Sequence, residues 1–273
     1  MNSFQAFVLG IVQGITEFFP VSSSGHLILL PKVFGWKEQS LALDAFLHLG
    51  TGIAVLFYFR KEWWGMFTSL FTDLKQGVFT DAVVQIPFSE FSADSRQLVF
   101  LVLASIPAGM VGILLNDWVG ANLRSPKIIA GALLIVALIM IIADTVGLRV
   151  LEELRLIPSL EIGFSQILAL IPGVSRSGIT ISAGLFSGLT VQSATRFSFL
   201  LATPVVLGAG LWGLFTLTSL DTSFSVLVTG FVSSFLFGFI AIEFFLGLVD
   251  NIGLVPFAVY RIVLALVVFL LFI

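Results

Sequence analysis

Apolar and polar positions divide the chain into long oily runs separated by short polar breaks. Crossing about 30 Å of hydrocarbon as a helix takes roughly 17 to 25 residues with few or no charges. Five such runs stand out, at approximately 98–115, 128–143, 197–216, 224–249 (interrupted by Glu243) and 255–273, with 45–59 as a shorter sixth. Two further apolar segments, 4–30 and 162–192, are broken midway by clusters of Pro, Gly and Ser, as re-entrant or discontinuous helices are. The hydrophilic stretch 60–97 holds Arg60, Lys61, Lys75 and Arg96 and reads as a loop with a surface helix. The pattern predicts an all-α polytopic membrane protein, a single integral membrane domain over 1–273, with about six full transmembrane helices and two re-entrant or broken helix pairs.

Composition agrees with this reading. Hydrophobic residues make up 58% of the chain and charged residues 11%, and mean hydropathy is +1.11, whereas a soluble domain carries roughly 25% charged residues. The absence of cysteine excludes disulfides, thiol chemistry and a Cys metal site. A net charge of -3 without a basic tail argues against nucleic acid as a partner. The opening segment carries Gln13 and Glu17 where a cleavable signal would be unbroken apolar, and its first basic residue is Lys32, so it is expected in the mature protein. Lys and Arg beside span ends favour the cytoplasm. Placing 60–97 inside puts 144–161 inside as well and predicts that both termini and the uncharged-by-Lys/Arg loop 217–223 face out, with Arg124 and Lys127 against the trend.

A shift of 153 residues brings the two broken segments into register. It aligns Gln13 to Glu17 with Gln166 to Leu170, VSSSG at 21–25 with VSRSG at 174–178, and Phe46-Leu47 with Phe199-Leu200. Three full spans lie between the copies, an odd number, so the second copy is expected upside down. Repeat halves of approximately 1–143 and 162–273, joined by the cytoplasmic loop 144–161, form an inverted-topology repeat whose broken helices meet near the bilayer midplane.

The breaks carry the candidate chemistry. In each, a Pro or Gly precedes serines suited to N-capping, so two helices are expected to begin there with free N–H groups and positive dipole ends facing one cavity. Such ends attract phosphate, and Arg176 adds a planar fork matched to phosphate oxygens. Gln13 and Glu17 are four apart and share a helix face. A carboxylate there can hold Arg176, act as a base, or hold a divalent cation that bridges phosphates. Ser22 and Ser23 precede His26 by four and three residues, which in a helix lets either hydroxyl approach the imidazole as a nucleophile and base. Small Ser and Gly residues also line close helix contacts in membranes, but three titratable groups within two apolar segments argue for function.

The segments QGITEFFPVSSSGH and PGVSRSGIT resemble the two signature motifs of the undecaprenyl-diphosphatase family, the bacitracin-resistance lipid pyrophosphatases of bacteria. The resemblance extends over nearly the whole chain, including FLLATP at 199–204 and VPFAVYRIVLA at 255–265. The first family motif is similar to (E/Q)-x-x-x-E, matched by Gln13 and Glu17, so this chain has the Gln version and not a two-carboxylate pair. The second resembles P-G-x-S-R-S-x-x-T, matched by Pro172, Gly173, Ser175, Arg176, Ser177 and Thr180. The resemblance implies hydrolysis of undecaprenyl diphosphate to the monophosphate with a divalent cation (Mg²⁺ or Ca²⁺), recycling the lipid carrier of cell-wall synthesis and giving bacitracin resistance. It further implies the bacterial inner membrane, with a site open to the outer face. Catalytic candidates are Glu17, Ser23, His26 and Arg176; substrate-binding candidates are Gln13, Ser22, Ser24, Gly25, Ser175, Ser177, Gly178 and Thr180; Glu17 is the metal-ligand candidate. Ser23, His26 and water remain open as the nucleophile, and a homodimer remains open as a partner beside the lipid bilayer.

Two rival functions are weighed. A transporter or flippase would also show inverted repeats and half-helices at the midplane, and phosphate release separates it from a phosphatase. Acid-phosphatase-like lipid phosphatases also carry SGH and SR but need a further His after the SR motif, and the two histidines here are His26 and His48. Outside the motifs, His48 and Asp144 are weaker candidates, His48 is expected in a structural or pairing role, Glu243 faces the bundle interior, Trp63 and Trp64 are interfacial anchors, and Lys32 and Lys37 are solvated.

Overall fold

The computed structural model describes residues 1–76, 91–217 and 223–273, so expectations for 77–90 and 218–222 lie outside the described residues. Every regular element among them is a helix. The chain opens with α1 (Ser3–Phe18) and α2 (Ser23–Phe34), joined by a short break, followed by α3 (Leu41–Tyr58) and α4 (Arg60–Lys75). Next come α5 (Ala93–Asn122) and α6 (Pro126–Val146), then α7 (Leu156–Ser165), which tightens into a 3₁₀ segment over Gln166–Leu170 before a second break. The remaining helices are α8 (Arg176–Phe186), α9 (Val191–Thr216), α10 (Phe224–Ile252) and α11 (Val255–Phe272).

Among the described residues six helices are long and apolar enough to cross a membrane, namely α3, α5, α6, α9, α10 and α11, and each covers one of the six runs read from the sequence to within a residue. α5 and α9 begin several residues before their runs because their starts are set by caps: Ser92 accepts from the Ser95 amide and Thr190 from the Ser193 amide. Hydropathy marks the depth of hydrocarbon, whereas the cap marks where helical hydrogen bonding begins.

The two broken hairpins repeat at the offset read from the sequence. The starts of α1 and α7 differ by 153 residues, and so do those of α2 and α8. Three crossing helices separate the two hairpins, so the second enters from the opposite face. Polar contacts between element ends agree: Ser3 meets Ser225 at the starts of α1 and α10 (3.4 Å), and Arg124 after α5 pairs with Asp44 in α3 (2.7 Å). On the other face Arg196 of α9 pairs with Glu62 of α4 (2.9 Å), and Asp144 near the end of α6 accepts from the Leu254 and Val255 amides at the start of α11 (3.1 and 3.3 Å). Asp144 therefore caps the start of α11.

α1 packs along α10, α3 along α9 and α6 along α11. Lipid tails are as apolar as leucine, so helices associate through close packing rather than through exclusion from water. Gly14 of α1 shows the device: a Cβ there would fall 2.7 Å from the Gly238 nitrogen of α10. Phenylalanines lock the end of α1 into the bundle, with Phe18 edge-on to Phe199 at 5.2 Å and Phe19 edge-on to Phe257 at 5.6 Å. Glu243 is tied to α3 by the Tyr58 hydroxyl, which donates to it at 2.7 Å.

Candidate functional site

Both breaks are built by the same local geometry. Ser22 has φ 77° and Ser175 has φ 71°, and each side chain accepts from the amide three residues on, Gly25 or Gly178, at 3.2 Å. A non-glycine residue held at positive φ costs of order 1–3 kcal/mol. Its occurrence at two positions 153 apart, each an N-cap, marks a conformation imposed on both repeats. Each capping serine also lies beside the hydroxyl two residues on, Ser24 at 3.4 Å and Ser177 at 3.3 Å. Gly173, with φ 99°, lets the second break pass against α6, where a Cβ would fall 2.8 Å from the Ile129 carbonyl oxygen.

The breaks touch reciprocally. The Gly173 amide donates to Ser24 Oγ (3.4 Å), and Ser177 Oγ donates to the Phe19 carbonyl (3.1 Å). α2 and α8 thus begin side by side, each with amides in its first turn that the helix leaves unpaired. Gly25 and Gly178 keep these first turns compact, since a Cβ on either would sit 3.3 Å from the capping hydroxyl.

Glu17, 6% exposed, is the hub. Its Oε2 accepts from Ser23 Oγ at 2.7 Å and from Gln13 Nε2 at 3.2 Å, and lies 3.5 Å from His48 Nε2. Its Oε1 accepts from both Nε and Nη2 of Arg176 at 3.4 Å. The remaining end of the Arg176 fork donates to the Ser198 carbonyl of α9 at 2.9 Å, and Ser198 Oγ in turn contacts Thr180 Oγ1 at 2.6 Å. Glu17 and Ser23 come from the first repeat and Arg176 from the second, so the inverted arrangement assembles the constellation.

Ser23 and His26 do not meet. His26 Nδ1 lies 2.7 Å from the Ser22 carbonyl, which can only accept, so in the neutral imidazole this nitrogen carries the proton and Nε2 accepts from the Tyr260 hydroxyl at 2.7 Å. The nucleophile-and-base pairing expected of a serine and His26 is replaced by Ser23 with Glu17. The physical reason is that the left-handed Ser22 turns its carbonyl, rather than a hydroxyl, toward the imidazole.

His48 joins the hub although no motif surrounds it. Two other residues near the site, Tyr260 and Arg261, carried no assignment from the sequence; the legible signal was an arginine inside an apolar run. Around Glu17 the groups able to serve a cation include its own carboxylate, His48 Nε2 at 3.5 Å from it, and the buried Gln13 Oε1, which has no hydrogen-bond partner. Among the described residues no group of three or more His, Asp or Glu side chains forms a metal cage. One carboxylate and one amide oxygen fit a hard divalent ion that takes most of its ligands from phosphate and water.

The family model for the bacitracin resistance protein BacA matches residues 6–267. A protein named undecaprenyl-diphosphatase from Alteromonas mediterranea is 40% identical over 272 residues, covering 98% of this chain and 97% of the relative. Another of that name from Thermodesulfovibrio yellowstonii is 39% identical over 273 residues, with the same coverage. Undecaprenyl-diphosphatase 2 from Stutzerimonas stutzeri is 41% identical over 281 residues, covering 100% of this chain and 99% of the relative. Matched from end to end at this level, the chain belongs to the family of the bacitracin resistance protein BacA.

Proposed function

We propose that this protein hydrolyses undecaprenyl diphosphate to undecaprenyl phosphate and inorganic phosphate at the meeting point of the two breaks. The observation that carries the reading is the convergence of Ser23 and Arg176 on Glu17. The relatives named undecaprenyl-diphosphatase supply the substrate. Recycling of this lipid carrier for cell-wall synthesis, and bacitracin resistance, follow from that activity and from the family's description.

In the reading favoured by this geometry, Ser23 Oγ attacks the terminal phosphorus while Glu17 Oε2 takes its proton. The bond from that phosphorus to the bridging oxygen breaks, and undecaprenyl phosphate leaves. Glu17 passes its proton to the departing undecaprenyl phosphate; water then attacks the phosphoserine, Glu17, again a carboxylate, accepts a proton from it, and that proton passes to Ser23 Oγ as inorganic phosphate departs. Arg176, released from Glu17 once the carboxyl is protonated, donates to the equatorial oxygens where charge spreads in the transition state. Unpaired amides in the first turns of α2 and α8 face the same charge. A divalent cation held by Glu17 and Gln13 would neutralise the diphosphate. His26, bonded to Ser22 and Tyr260, keeps the first break in shape.

The proposed location is the bacterial inner membrane with the site open to the outer face. Arg60, Lys61, Lys75, Arg96, Arg149, Arg155 and Arg196 flank one face of the helix bundle, against Lys32, Lys37, Arg124 and Lys127 on the other, which favours the first as cytoplasmic. The function is tested with purified protein in detergent and a long-chain isoprenyl diphosphate. Stoichiometric release of inorganic phosphate is expected. Substrate translocation in vesicles without phosphate release would replace the phosphatase with a flippase.

A further inference from the structure

Arg261 of α11 is fully buried, with 0% of its surface exposed. Among the described residues it forms no ion pair, and its guanidinium is occupied entirely by backbone carbonyls. Nη1 donates to Pro20 (3.3 Å), Nη2 to Gly173 (2.8 Å) and Ala132 (3.3 Å), and Nε to Leu133 (3.3 Å). Pro20 lies in the first break and Gly173 in the second, 153 residues apart, so one side chain grips the same carbonyl of both repeats. The other two carbonyls belong to α6, against which the second break is wedged.

Carbonyls freed by a helix break have no water to turn to within a bilayer, and leaving them unpaired costs several kcal/mol each. Several polar donors could satisfy one such carbonyl. The planar fork donates to four carbonyls on three elements at once, whereas a lysine ammonium offers three donors from a single point. The Pro20 carbonyl is three residues from Ser23 and the Gly173 carbonyl three residues from Arg176. The clasp therefore determines how far Ser23 and Glu17 stand from Arg176.

We infer that Arg261 is a positioning residue for the proposed hydrolysis: by holding the Pro20 and Gly173 carbonyls together it sets the relative placement of the two half-sites. It touches neither phosphate nor cation and acts through Glu17, Ser23 and Arg176. This rests on the phosphatase reading, which phosphate release by the wild-type protein tests on its own.

The test is steady-state kinetics of Arg261→Lys and Arg261→Gln, each confirmed monodisperse in detergent, alone and combined with Arg176→Lys. Misplacing reacting groups by about 1 Å costs on the order of 10²-fold in rate, so kcat should fall by about that factor while KM stays within about three-fold. Groups that act through one another are not additive, so in the Arg176→Lys background the same substitution should cost less than about three-fold more. A purely structural residue would lower both backgrounds by the same factor. Multiplying losses, turnover within about two-fold of wild type, or failure of both single variants to yield folded protein would each overturn the inference. A wild-type protein that binds the lipid but releases no phosphate would instead sink the phosphatase reading itself.

Discussion

Ser23 Oγ donates to Glu17 Oε2 across 2.7 Å, joining the first turn of α2 to the last turn of α1. The bond makes Glu17, rather than His26, the hydrogen-bond partner of this hydroxyl. Glu17→Gln and Ser23→Ala should each lower kcat by on the order of 10²-fold or more, about 2.7 kcal/mol. As members of one unit they should be non-additive, with the double variant little worse than either. His26→Ala, which loosens the break but leaves the pair, should retain more activity than both. Acid quenching during turnover of substrate labelled in its terminal phosphate should trap label on Ser23. Label on His26, or none with Ser23→Ala fully active, would reassign the nucleophile.

Arg176 spends its fork on the Glu17 carboxylate and the Ser198 carbonyl, a geometry that an ammonium cannot copy. Arg176→Lys should lower kcat by about 10²-fold, with KM changed much less, because charge on the equatorial oxygens is stabilised mainly in the transition state. Yield and melting temperature should stay near wild type. A purely structural arginine would show the reverse pattern, with stability lost and turnover per folded molecule kept.

Excess chelator should abolish turnover, and Mg²⁺ or Ca²⁺ should restore it, if a cation held at Glu17 and Gln13 neutralises the diphosphate. Gln13→Ala should raise the cation concentration needed for half-maximal rate, and should do so less severely than Glu17→Gln. Full activity in chelator would remove the cation from the mechanism.

Gly173 sits at φ 99° with the Ile129 carbonyl where a Cβ would go, whereas Gly131, on α6, has open space there. Gly173→Ala combines left-handed backbone strain with overpacking, and about 2–4 kcal/mol of stability should be lost. Gly131→Ala should be neutral or slightly stabilising, since alanine is the better helix former. Thermal unfolding of the two variants in the same detergent compares them directly. Equal melting temperatures would mean that the second break can relax around the added methyl.

The distribution of basic residues predicts that the C-terminus lies outside the cytoplasm. A reporter fused after Ile273 that fluoresces only in the cytoplasm should be dark, and one active only outside should work. The opposite pair of results would invert the whole topology, because the two repeats share one odd count of crossings between them.

Much was legible from residue order. The six crossing helices and the two broken hairpins follow from where charge is absent and where Pro, Gly and Ser interrupt, since lipid tolerates no unpaired backbone and no unneeded charge. The offset of 153 read from VSSSG and VSRSG is the offset at which α1 and α7, and α2 and α8, begin. The candidates Gln13, Glu17, Ser23 and Arg176 were equally visible, because polar or charged groups in an oily segment stand out against their surroundings. His48 was visible as a residue but not as a neighbour of Glu17, since nothing local announces a contact made by a separate helix.

Which groups bond to which was decided by the tertiary structure alone. Sequence spacing allowed His26 to serve either serine, yet the left-handed turn at Ser22 presents a carbonyl to the imidazole and leaves Ser23 to Glu17. Arg261 lies in the last apolar run, 88 residues from Gly173 and 241 from Pro20, and only the packed bundle brings those carbonyls within reach of one guanidinium. Periodicity and polarity act over a few residues and determine elements, breaks and candidate chemistry. Pairing across an inverted repeat depends on the distance between helices, which is set by the small residues and phenylalanines that let them approach.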